Sequence, residues 1–142
     1  MMPAASAPWA AAEALGRSAP ELAAFQDEPP QMRSGAVGKA GFLHLGFARR
    51  GSRTILADLD YRIPYRAQRA LYCDDAMPDL PHVFLITTTG CLLQGDRMAL
   101  DITLGQGARA HVTTQSATKI HSMDANYAAQ TGVVSLESRT SQ

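Results

Sequence analysis

Cysteine is nearly missing from this chain: Cys73 and Cys91 are the only two. Their spacing gives neither a disulfide framework nor a CxxC zinc knuckle, and fits reduced thiols in a cytoplasmic protein. Net charge is missing too, because thirteen basic side chains balance thirteen acidic ones. No global field therefore draws nucleic acid or an anionic membrane. No apolar run approaches the ~20 residues that a membrane span needs. The chain carries no Lys or Arg before Arg17, so the charged start of a secretory signal is not expected. No internal repeat of fixed period is visible either.

What is present divides at about residue 38. Residues 1–38 are rich in Ala, Pro, Ser and Gly with few apolar anchors beyond Trp9, Leu22 and Phe25. One or two helical turns are conceivable over residues 9–15, but so short a helix is marginal alone, and Pro29-Pro30 breaks any continuation. This stretch reads as a disordered or weakly helical extension. Residues 39–142 read as one β domain, large enough with the rest to bury roughly 70% of the extended surface. Basic charge is unevenly spread: Arg49, Arg50, Arg53, Arg62, Arg66 and Arg69 share one window. A polyanion-binding strip would look like this, and so would a solvated sheet face with Asp58 and Asp60 as counter-charges.

From Lys39 onward the hydrophobic period is two. Leu43, Leu45 and Phe47 share one face; Ile55, Ala57, Leu59 and Tyr61 share one face of the next segment, with Gly51-Ser52 as a hairpin turn between. Residues 65–72 read as a third strand with Pro64 at its edge, residues 73–81 as a loop, and residues 82–89 as a buried strand. Residues 97–104 alternate cleanly, Gly105-Gln106-Gly107 turns the chain, and residues 108–114 return. That is a hairpin pattern, predicting the pairs Leu104–Ala108, Leu100–Val112 and Asp101–His111. Residues 133–137 form a weak last strand. The fold class is mainly β.

Chemistry concentrates at the two ends of that segment. Gly90 and Gly95 have the spacing of a phosphate-binding loop, but Asp96 and Arg97 stand where Lys and Ser or Thr are needed, and a strand follows instead of a helix. Nucleotide binding is excluded; Asp96 is expected to accept hydrogen bonds from turn N–H groups. The other end is a dense polar run: Thr113, Thr114, Gln115, Ser116, Thr118 and Lys119. Such a run is either a strand end with satisfied hydroxyls or a rim of donors and acceptors. No His or carboxylate is fixed beside Ser116, so no nucleophile–base pair is predicted. For metal, Cys73, Cys91, His44, His82, His111 and His121 lack local ligand spacing.

Taken together, Gly90-x-x-x-x-Gly95-Asp96, the alternating strand, Gly107-Ala108-Arg109-Ala110 and Thr113-Thr114-Gln115-x-x-Thr118-Lys119 resemble the urease accessory protein UreD (UreH) family. Upstream, Gly41-Phe42-Leu43 and Pro64-Tyr65-Arg66-Ala67-Gln68-Arg69 fit as well, so the likeness runs over residues 39–136. The resemblance implies a mainly β, antiparallel, β-helix-like or β-sandwich-like stack, incomplete at its C-terminus. It implies a cytoplasmic, non-enzymatic metallochaperone that binds apo-urease and the UreF–UreG accessory proteins and delivers nickel as cargo, with a tunnel as its proposed route. Cys91 stands where the family usually has Gly, and His121 where it usually has Tyr; both are candidate nickel contacts. Family members run to about twice this length. A truncated, inactive remnant, and a small-molecule-binding β domain using Asp96 and residues 113–119, are the alternative readings.

Overall fold

In the computed structural model, which describes residues 40–123 and 127–138 together with Ala14 and Pro20, the alternating segments become strands. They are β1 (Ala40–Arg50), β2 (Arg53–Arg62), β3 (Tyr65–Ala67), β4 (His82–Thr87), β5 (Arg97–Leu104), β6 (His111–Thr114) and β7 (Ala129–Leu136). The extension expected over 1–38 lies, those two residues aside, outside the described residues.

Two sheets share the chain, in the orders β2-β1-β5-β7 and β3-β4-β6. β1 and β2 form the expected antiparallel hairpin, turning at Gly51, whose φ of 58° suits glycine. β3 runs antiparallel to β4. The remaining pairs, β1–β5, β5–β7 and β4–β6, are parallel. From β4 onward the chain alternates between the sheets, and once β5 has joined β1 each further circuit lays a new strand beside one about thirty residues earlier. His82 meets His111, Leu92 meets Ile120 and Arg97 meets Ala129. The mainly β fold of the sequence reading is thus present, but as mixed sheets and not an antiparallel stack, because each return of the chain runs in the same direction as the strand it joins; the sheets do not close into a barrel.

One expected element is overturned. Residues 97–114 are not a hairpin, and the pairs Leu104–Ala108, Leu100–Val112 and Asp101–His111 do not form. A strand has two edges, and both edges of β5 are taken, by β1 and by β7. Gly105 N–H donates to the Phe47 carbonyl at 2.8 Å, which binds the end of β5 to β1. The turn closed by Ala108 N–H on the Gly105 carbonyl, 3.0 Å, therefore leads out of one sheet into the other. There His111 and Val112 pair with His82 and Val83.

Smaller corrections have local causes. A bulge between Gly46 and Phe47 leaves Ala57 unpaired, so Phe47 meets Leu56 while Leu45 meets Leu59. The inward set of β2 consequently shifts from Ile55 and Ala57 to Thr54 and Leu56; Thr54 is fully buried. The third strand stops at Ala67 instead of reaching Tyr72, resuming only as a bridge from Leu71 to His82. β4 ends at Thr87, where Gly90 N–H closes a turn on the Thr87 carbonyl, and only Val83 within it is fully buried.

The core lies between the sheets. Leu43, Leu45 and Phe47 from β1 pack with Met98 and Ile102 of β5 against Tyr65, Ala67 and Val83 of the other sheet. Close approach fixes Gly41: a Cβ there would lie 2.9 Å from Pro64 Cδ and 3.0 Å from Met98 Sδ. On the opposite face of the four-stranded sheet, His44 and Asp101 are register partners. Both are buried, and His44 Nδ1 lies 2.6 Å from Asp101 Oδ2. His44 Nε2 lies 3.3 Å from the exposed Asp58 carboxylate of β2.

Candidate functional site

The two polar ends of the 90–119 segment meet, although not as the ends of a hairpin. Leu92 N–H donates to the Lys119 carbonyl at 2.8 Å, and His121 N–H to the Leu92 carbonyl at 3.0 Å. The glycine turn and the polar run are therefore adjacent layers of the stack, joined at the parallel Leu92–Ile120 bridge.

The glycine turn is a built corner. Gly95 adopts a φ of 83°, which an L side chain resists, and its N–H donates to the Tyr127 carbonyl at 3.1 Å. Asp96 is 1% exposed. Its Oδ2 accepts the Leu93 N–H at 2.9 Å, its own N–H returns to the Leu93 carbonyl at 3.0 Å, and its carbonyl accepts Ala129 N–H at 2.9 Å. The expected role as acceptor of turn N–H groups is what the geometry shows. Arg97 caps the corner, its guanidinium 3.6 Å over the Tyr127 ring while Nη1 donates to the Asp96 and Tyr127 carbonyls.

Beyond the corner lies a cavity of about 120 Å³, room for a few waters. Gly90, Thr114, Gln115, Ser116 and Thr118 line it, with Tyr65 and Thr87 from the three-stranded sheet and Gln130 from β7. Its polar lining is hydroxyl and amide, without a charged side chain, which suits hydrogen bonding to a neutral or hydrated guest. Four of the signature residues thus share one wall. Thr113 instead pairs with Phe84 within the sheet, and Lys119 contributes its backbone carbonyl to the layer bridge. Cys91 and His121 sit on the two adjoining layers. Cys91 Sγ lies 3.6 Å from the Thr89 carbonyl, and His121 is exposed. Among the described residues no three His, Cys, Asp or Glu side chains gather as a metal site.

Tyr65, which the sequence offers only as part of the stretch 64–69, proves to line the cavity. It is 3% exposed, and its hydroxyl is buried without a hydrogen-bond partner among the described residues. Burial pushes its pKa from 10.0 up to about 12. The signal in the sequence was faint: a Tyr directly after Pro64, in phase with the core residue Ala67. A raised folded-state pKa means the associated stability is whole below pH ~10 and is lost as pH rises towards and through about 12, on the order of 3 kcal/mol in all. Tyr65→Phe removes an unpaired hydroxyl and should be neutral or stabilising by up to about 1 kcal/mol at neutral pH. It should also abolish that alkaline loss. Urea unfolding across the alkaline range checks both; a clearly destabilised Phe variant would mean that the hydroxyl is bonded.

No helix among the described residues is long and apolar enough to cross a membrane. Comparison with known proteins gives the family directly. The family model described as UreD urease accessory protein matches residues 39–141. The urease accessory protein UreD of Photorhabdus laumondii subsp. laumondii is 65% identical over 123 residues, covering 87% of this chain and 38% of the relative. The UreD proteins of Yersinia enterocolitica and Yersinia pestis strain Pestoides F are 62% and 60% identical over 119 residues, 84% of this chain and 36% and 43% of theirs. The chain therefore spans well under half the length of these curated relatives. On the match over residues 39–141, with the glycine corner and the polar rim inside it, this chain belongs to the UreD urease accessory protein family.

Proposed function

We propose that this chain acts in urease maturation as a non-catalytic scaffold, binding apo-urease and UreF–UreG-type partners while nickel passes to the urease metallocentre as cargo. The family match carries the reading. The local chemistry is compatible with it: Gly90, Thr114, Gln115 and Thr118 of the signature line a polar cavity without a charged side chain, which offers hydrogen bonds to a hydrated ion and no strong ligand to trap it. Cys91 and His121, softer donors on adjoining layers, are the proposed transient contacts for nickel.

The test is complementation of cells lacking UreD, read as urease activity and as nickel content of purified urease. Restoration of both by the 142-residue chain is the expected result. Abundant folded chain with neither restored would sink the reading and favour an inactive form. Capture of UreF in the same cells separates loss of partner binding from loss of nickel transfer. Within an active chain, Cys91→Ser and His121→Phe should lower nickel content more than they lower UreF capture.

A further inference from the structure

The arginine-rich window comes apart in three dimensions. Arg53 and Arg62 end opposite termini of the ten-residue β2, about 30 Å from each other. Arg62 lies 5.1 Å over the Phe42 ring, and Arg66 sits on β3 in the other sheet. A continuous basic strip does not form. Arg49 and Arg53 stay together at the β1–β2 turn, and Arg109 joins them from the far end of the sequence.

Two of these guanidiniums, Arg49 and Arg109, hold one carboxylate. Asp79 Oδ2 accepts Arg109 Nη2 at 2.7 Å and Arg49 Nη1 at 3.0 Å, while Arg49 Nε donates to the Gly51 carbonyl at 3.0 Å. The Arg109 hydrogen bond, more than that from Arg49, holds the Asp79 carboxyl below the usual range, so it is ionised. Arg53 is stacked 3.9 Å over the Tyr72 ring and has no carboxylate partner among the described residues. The platform beneath is tied together by the fully buried Thr54. Its carbonyl accepts the Tyr72 hydroxyl at 2.7 Å, its Oγ1 accepts Arg109 N–H at 3.0 Å, and its N–H donates to the Asp79 carbonyl at 3.1 Å. Above it lies an open cleft of about 400 Å³ lined by Arg49, Ser52, Arg53, Pro78 and Asp79.

Arg49 and Arg53 against the one carboxylate of Asp79 leave an excess of positive charge in the cleft, and Arg109, bonded to the same carboxylate from outside the cleft lining, adds to it. We propose that this cleft docks an acidic segment of a partner protein. Its carboxylates would engage the unpaired edge of Arg53 and the remaining N–H groups of Arg49 and Arg109, since guanidinium forks match carboxylates in two-point geometry. A nucleic-acid backbone fits poorly, because it needs a strip of cations along its length, and here the strip is broken and Asp79 stands within it.

The test is fluorescence anisotropy at low salt of a labelled oligo-glutamate peptide, and of a single-stranded oligonucleotide of equal charge, against the whole chain. Saturable binding of the peptide is expected, weakened about tenfold by Arg53→Glu and less by Arg53→Gln. Arg66→Glu, on the other sheet, should leave it unchanged. Circular dichroism shows whether each variant keeps its sheets, and Arg53→Gln carries the test if Arg53→Glu does not fold. Absence of peptide binding, equal weakening by Arg66→Glu, or tighter binding of the oligonucleotide overturns the proposal. Failure of complementation in cells leaves this measurement untouched.

Discussion

Asp101→Ala should destabilise the fold by about 3 kcal/mol, a large part of the stability of any domain this size. The carboxylate is 4% exposed and lies 2.6 Å from His44 Nδ1, itself 5% exposed. Truncating one partner of such a pair leaves the other buried without its hydrogen bond, which costs much more than the pair contributes while intact. Replacing both residues with apolar side chains of similar volume should cost less than the single change, a comparison that separates the pair from simple packing. Urea-induced unfolding measures both. If Asp101→Ala shifts the midpoint no more than a change at exposed Asp60, the buried pair is not a stabilising contact.

Leu45→Ala is expected to cost a similar 2–5 kcal/mol by a different route. Leu45 is fully buried, between Leu59 on β2 and Ile102 on β5. Removing its branched end forfeits transfer free energy and leaves a void that strands paired on both sides cannot close. Ala57, left unpaired by the bulge and exposed, supplies the contrast: Ala57→Ser should change the midpoint little. Equal effects at the two positions would mean that the β1–β2 register differs from the one described.

Strand existence was legible in the sequence because period two is a local property. The hairpin at Gly51 and the full span of β5 follow from alternation and turn chemistry alone. Pairing beyond neighbours was not legible. Asp101 sits out of phase with Met98, Leu100 and Ile102, just as His44 sits out of phase with Leu43 and Leu45, yet nothing local says that these two meet. Parallel register depends on how many residues each circuit uses, and no repeat in the sequence announces it. The same gap explains the site. The glycine turn and the polar run were recognisable as chemistry, and the acceptor role of Asp96 followed from its place in the turn. That Thr114 and Thr118 share a cavity wall with Tyr65 and Gln130 follows only from stacking successive layers.

The parallel pairing carries a consequence for how the chain is made. Among the described residues the β1–β2 hairpin is the one ladder between strands that a short turn connects, so it can form within microseconds of its residues emerging. The inner edge of β1 must then wait for β5, which lies on the far side of β2, β3 and β4. At a synthesis rate of about 5–20 residues per second, that edge stands open for seconds while its partner is still being polymerised. Exposed strand edges recruit other chains, so the speed of translation between β1 and β5 sets how long the nascent chain is vulnerable to misassembly.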